Sequence, residues 1–339
     1  MQSKPKRRTD LETRKIDYGV ALEKIESNPK LRGLSEEEKR VIIDNIMLAP
    51  FLDLTDDWAF KKVLGHNANI LRVLLSDILK EKIVEVKYES NEIPVLAEED
   101  KRARFDVLCR LDDGRWIVVE MQNMKEDDFH QRLFYYGAAL AAAQVKKGSP
   151  YKDLLPTYVV AFLNFERPHF PLRADKVVFY YTLLEEETNE KYESDPLSLY
   201  LCEMPRLNKG IRELTSPIEK WLYILRNCGK FATNEQEEFG QRYAELFARA
   251  RTRHLTDTEL MEYFDSKITA YRAEMLQKAG YKDGFRDGEA KGIEKGIEKG
   301  IAQGKVEIAK AMLSQGFAVS TIVELTGLTP EEVEALSKG

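Results

Sequence analysis

The chain has little of what disulfide-framed and zinc-clustered proteins are built on. Its 339 residues include three cysteines and four histidines. Cys109, Cys202 and Cys228 are far apart and form no CxxC, so they read as reduced core thiols of a cytoplasmic protein. His66, His130, His169 and His254 are scattered in the same way. No apolar run approaches the ~18 residues that would indicate a membrane helix. The opening residues, MQSKPKRRTDLETRK, lack an apolar segment and do not read as a secretory signal. Positive charge is not in excess either. The formal net charge is -6, so any nucleic-acid contact must come from local basic patches.

What is present supports a sizeable core and more than one domain: 43% of residues are hydrophobic and 32% charged. The stretch RARFDVLCRLDDGRWIVVEMQN, residues 102–123, reads as an antiparallel hairpin. Its first arm alternates, with Ala103, Phe105, Val107, Cys109 and Leu111 on one side. Its second arm is rich in aromatic and β-branched residues, Trp116 to Val119. Gly114 suits the left-handed last position of a three-residue loop. Leu111 then pairs with Arg115, Asp106 falls opposite Glu120, and Arg104 opposite Gln122. Opposed side chains lie roughly 5 Å apart, so the two carboxylates need a shared proton, an arginine or a divalent cation between them. A two-residue loop would instead place Asp106 opposite Met121 and separate the acids.

The remaining chain alternates helix and strand. Residues 1–30 form a basic arm, either solvated or phosphate-contacting. Ser35 caps one helix, and Thr55-Asp56-Asp57 opens another, where Asp57 suits the first turn. Asn69 to Lys80 is helical, and Lys82 to Glu89 alternates as a strand. After the hairpin, Asp127 or Asp128 caps a helix with Phe129, Leu133, Tyr136 and Leu140 on one face and Gln131, Arg132 and Tyr135 beside them. Gly137 and the alanines after it suit close packing on a sheet. Thr157 to Asn164 and Val177 to Leu184 read as strands, and Ser198 to Met204 as an edge strand. The expected fold is therefore α/β, a mixed sheet flanked by helices over 31–210, followed by an all-α C-terminal region. Helices fill 211–279, including one capped by Asn234 and one by the Thr256/Glu259 box.

From Gly280 to Gly304 glycine recurs every fourth residue, with Ile293, Ile297 and Ile301 between. Each glycine weakens a helix by about 1 kcal/mol relative to alanine, and the i,i+4 charge pairs are alike. The segment is either a linker or a helix that forms against a partner. The second reading makes 280–339 an oligomerisation module and the chain a homodimer through 280–336. Residues 306–336 outline a helix-turn-helix. Its last helix carries Glu331, Glu332 and Glu334, which phosphates repel, so it suits protein contact better than DNA reading.

One acid on a strand, then a second two residues before a polar group on the next, suits a Mg²⁺ (or Mn²⁺) site for phosphodiester hydrolysis. The plainer reading is a solvated hairpin face stitched by Arg104 and Arg110. Three segments in order bear on the choice: DLTDDWAFKKVLG, RFDVLCRLDDGRWIVVEMQN and QRLFYYGAAL. Together they resemble the PD-(D/E)XK nuclease family transposases, also called recombination-promoting nucleases or Rpn. The resemblance implies a restriction-endonuclease-like core and metal-dependent DNA cleavage. Asp106 and Glu120 match the metal-holding acids, and Gln122 stands where the wider superfamily has lysine. Asp57 is a possible helper, and Arg104, Gln131, Arg132 and Tyr135 are candidate DNA contacts. Two other functions stay open: a nuclease-shaped scaffold that binds without cutting, and a toxin or defence component held by its tail. Removing the Asp106 charge is expected to relieve a like-charge pair and to leave stability equal or higher.

Overall fold

The computed structural model describes residues 18–29, 31–90, 105–126, 128–145, 148, 150–167 and 176–337, without the side chains of 272–298, 301 and 337. Arg104, Asp127 and the first seventeen residues of the basic arm lie outside these. Two compact units emerge, residues 1–272 and 273–339.

In the first unit, α1 (Tyr18–Glu26) lies in the segment expected as an arm and buries Ala21 and Ile25. Ser35 and Glu38 form the capping box of α2 (Glu36–Met47). Asp56 caps α3 (Asp57–Leu64), accepting the Ala59 N–H at 3.1 Å. Next come α4 (Ala68–Leu79) and the strands β1 (Val86–Tyr88), β2 (Val107–Leu111) and β3 (Trp116–Gln122). A helix α5 (Phe129–Gln144) leads to β4 (Thr157–Leu163), β5 (Val178–Tyr181) and β6 (Leu197–Glu203). Asp128 occupies the N-cap of α5 but makes no side-chain capping bond. The unit closes with α6 (Pro217–Asn227), α7 (Ala244–Ala250) and the first turns of α8 (Asp257–Ser314). Asn234 begins a short 3₁₀ segment rather than a capped α-helix.

The strands form one sheet in the order β1-β2-β3-β4-β6-β5. β3, β4 and β6 run parallel, and the outer pairings are antiparallel. The expected edge strand, β6, is therefore interior, and β5 is the edge. Leu201 and Cys202 explain this, because successive buried residues point to opposite faces and both need cover. β5 instead leaves Tyr180 and Tyr181 partly in solvent, as an edge permits.

One face of the sheet, carrying Cys109, Ile117, Val119, Val160, Phe162 and Cys202, shares the large core with α3, α4, α6 and α7. The other face packs Leu108, Val118, Val159, Ala161 and Leu201 against Phe129, Leu133 and Leu140 of α5. Gly137 sets that approach. A Cβ there would stand 2.4 Å from Leu197 Cδ1 and 3.2 Å from Val159 Cγ2. Gly137→Val is expected to destabilise the protein by about 1–3 kcal/mol through overpacking. The fall in urea midpoint measures it, and an unchanged midpoint would mean that α5 is free to lift.

In the second unit the glycine repeat is helical throughout, part of α8. Ala309, Ile322 and Val333 make a small core where the end of α8 meets α9 (Val319–Thr326) and α10 (Pro330–Ser337).

Candidate active site

The hairpin turn has the three-residue form. Gly114 has φ +91°, and the Leu111 N–H donates to Arg115 O at 2.9 Å. The ladder then runs from Arg110↔Trp116 to Val107↔Val119. Continued one step, it sets Asp106 opposite Glu120 as a pair that exchanges no backbone bonds, the kind with the closest side chains. The strand stops one residue short of that pair. The next hydrogen-bonded position would have given the Met121 N–H a carbonyl partner. Asp106 Oδ2 takes that N–H instead, at 2.9 Å, so no ladder donor is orphaned. The Asp106 N–H in turn donates to Glu120 Oε1 at 3.1 Å. The two acids are joined as the three-residue loop requires, through the backbone at the point where β2 begins.

Glu120 and Gln122 share the sheet face that α5 covers. Arg132 of α5 donates to Gln122 Oε1 at 2.8 Å and pairs with Glu126. Gln122 Nε2 donates to Met124 O at 3.0 Å. Each end of the Gln122 amide is thus bonded within the protein. Gln131 and Tyr135 lie exposed on α5, one turn apart.

Lys61 was missed by the sequence reading, which saw only a helical position. Its Nζ lies 3.1 Å from Asp106 Oδ1 and 2.6 Å from Asp57 Oδ1. The i,i+4 spacing of Asp57 and Lys61 was visible in the sequence, but the contact with Asp106 needed the fold. The start of α8 holds α3 in place to make it. Ser266 donates to Asp56 at 2.9 Å, Lys267 pairs with Asp53 at 2.7 Å, and the Trp58 indole donates to Glu262 at 3.1 Å. Burial pushes Asp56 up to about 6. Tyr136 was read as core. It packs edge-on against Phe105, and burial, with the Glu120 charge next, pushes its phenol upward.

Burial raises the Asp106 carboxyl, partly countered by Lys61 and the Met121 N–H. Burial and then the Asp106 charge raise Glu120 further. Lys61 is drawn upward as Asp106 and Asp57 outweigh its burial. Lys61 thus meets two carboxylates directly, Asp57 and Asp106, and its charge also reaches Glu120. Asp106 and Glu120 offer only carboxylate oxygens, the hard donors that a divalent cation takes. Among the described residues no three His, Cys, Asp or Glu stand together as a ready metal cage. A cation held here would keep water or phosphate oxygens in its remaining positions.

The charge balance revises one expectation. Relief of repulsion belongs to Glu120 rather than Asp106, because Asp106 already has Lys61 and the Met121 N–H. Raised carboxyls favour the protonated folded state, so their penalty is absent below the ordinary carboxylate range and grows as pH rises through the folded value. Glu120→Gln keeps an acceptor for the Asp106 N–H. Without added metal it is expected to raise Tm by roughly 2–6 °C at pH 8 and by much less at pH 5. Equal shifts at both pH values, read by calorimetry, would show that Glu120 is not ionised against its neighbour.

A mixed sheet flanked by helices, with one acid within β3 and the other just before β2, is consistent with a nuclease-type α/β core. The chain belongs to the PD-(D/E)XK nuclease family transposases, whose profile matches residues 54–278, about two thirds of it. Residues 302–338 match the C-terminal HTH domain of the Rpn/YhgA-like nuclease family. No curated protein and no solved structure matches the chain significantly. The family read from the three sequence segments is the one found.

Proposed function

We propose that the protein is a metal-dependent DNA endonuclease. The observation that carries the reading is the junction of Asp106 and Glu120: the Asp106 N–H donates to Glu120 Oε1 at 3.1 Å, Glu120 is buried and Asp106 partly so, and burial raises both carboxyls. Asp106 and Glu120 would hold Mg²⁺ or Mn²⁺. When bound, such an ion supplies Lewis-acid stabilisation at the attacked phosphate and a more acidic water. The backbone bonds at Asp106 keep the acid pair preorganised, and Arg132 fixes the end of β3 beside them. In the hydrolysis the water oxygen bonds to phosphorus, the bond to the leaving sugar oxygen breaks, and that oxygen takes a proton. Each cut yields one phosphomonoester and one hydroxyl.

DNA is the proposed substrate. Arg132, Gln131 and Tyr135 lie on the helix beside the acids, and the family of the C-terminal domain is an HTH. The Glu331, Glu332 and Glu334 side chains are exposed on α10, which supports protein contact there rather than base reading. Buried, free Cys109, Cys202 and Cys228 support a reducing, cytoplasmic setting. No helix of the described residues is long and apolar enough to cross a membrane.

Plasmid, linear duplex and single-stranded DNA incubated with Mg²⁺, Mn²⁺ or EDTA test the reading. Cleavage that EDTA stops is the expected result. Retention of DNA in gel shifts with no cutting under any metal would replace it with the binding-scaffold reading.

A further inference from the structure

Resting on that reading, we infer that Lys61 supplies, from α3, the positive charge that the strand position occupied by Gln122 does not carry. A phosphodiester attacked by water gains negative charge at the phosphate, and a preorganised cation beside the metal-holding acids stabilises it. Gln122 is neutral, and each end of its amide is bonded, to Arg132 and to Met124 O. Arg132 is itself committed to Glu126 and Gln122. Lys61 is different. Its ammonium stands 3.1 Å from Asp106 and 2.6 Å from Asp57, and its side chain is about one third exposed.

Its helix is built to hold it there. Asp56 caps α3 and is tied to Ser266, Trp58 bonds Glu262, and Lys62 pairs with Glu259, so the α8 face fixes α3 at several points. Asn123, one residue past β3, donates to Thr55 O and ties the acid-bearing strand to the same loop. The charge beside Asp106 thus comes from a helix, where the neighbouring strand position holds the neutral Gln122. Lys61 is placed to act on the attacked phosphate itself, as a catalytic residue. It also competes with a cation for Asp106.

That dual role gives a signature no simple structural clip shares. In the full chain, Lys61→Met is expected to lower Mg²⁺-dependent cleavage at least 100-fold. The same change should tighten Mn²⁺ binding, read by calorimetric titration without DNA, about 3–10-fold. Adding Gln122→Lys to Lys61→Met should restore cleavage to within roughly 10-fold of the starting protein and weaken Mn²⁺ binding again. Lys61→Arg, which preserves the charge, guards against misfolding and should keep part of the activity. Cleavage by a folded Lys61→Met protein at the original rate overturns the inference. So does loss of cleavage that Gln122→Lys fails to restore, or Mn²⁺ affinity that does not rise. A starting protein that cleaves nothing with any metal sinks the nuclease reading itself, and the inference with it.

Discussion

Plasmid DNA should survive incubation with Asp106→Asn under conditions in which the unaltered chain degrades it. The expected fall is about 10³-fold or more, corresponding to about 4 kcal/mol of lost stabilisation of the attacked phosphate. Asparagine keeps an oxygen acceptor for the Met121 N–H, so the bond that replaces the missing ladder partner survives. The variant loses the ion pair with Lys61, but Lys61 keeps Asp57. Loss of that ion pair opposes the relief of charge against Glu120, and the net change in stability should stay within about 1 kcal/mol. Asp106→Ala is a poorer probe, because it also orphans a buried N–H, at a cost of about 1–3 kcal/mol. Undiminished cleavage by a folded Asp106→Asn protein would remove Asp106 from the site and return the hairpin to a structural role.

The tail carries the second large effect. The intact chain is expected to run at twice its monomer mass in light scattering at tens of micromolar. Gly292→Leu, Gly296→Leu and Gly300→Leu combined should dissociate it, and should reduce double-strand cutting more than nicking. The glycine repeat is helical within α8, although it forgoes roughly 6–7 kcal/mol of helix propensity relative to alanine. A self-complementary stripe packed on its own copy across a two-fold axis is one source of compensation. Added Cβ atoms at Gly300 and Gly304 meet nothing within 4 Å in the single chain. Gly300→Ala and Gly304→Ala should therefore stabilise a lone helix by up to about 1 kcal/mol each. If the face receives a second copy, that gain should shrink or reverse. A monomeric intact chain, or an unchanged dimer after removal of 280–339, would make the repeat a spacer.

The hairpin was legible because its determinants are local. Asp112-Asp113-Gly114 selects the loop, the loop selects the register, and the register brings Asp106 to Glu120. The same holds for the Ser35 and Thr256 capping boxes, where hydroxyl and glutamate lie three residues apart in the chain. Strand order was not local. β6 was misplaced at the edge because edge or interior depends on which strand arrives on its far side, and β5 arrives from earlier in the chain.

The sequence alone therefore determined the family, the turn, the paired acids and the α/β alternation, all set by short-range geometry or by motifs in order. Tertiary structure decided where charge goes. Lys61 and Asp106 are 45 positions apart in the chain, and only the seating of α3 against α8 and β3 puts one ammonium against that carboxylate. Ion pairing across such a separation depends on the placement of whole elements, which no local pattern encodes.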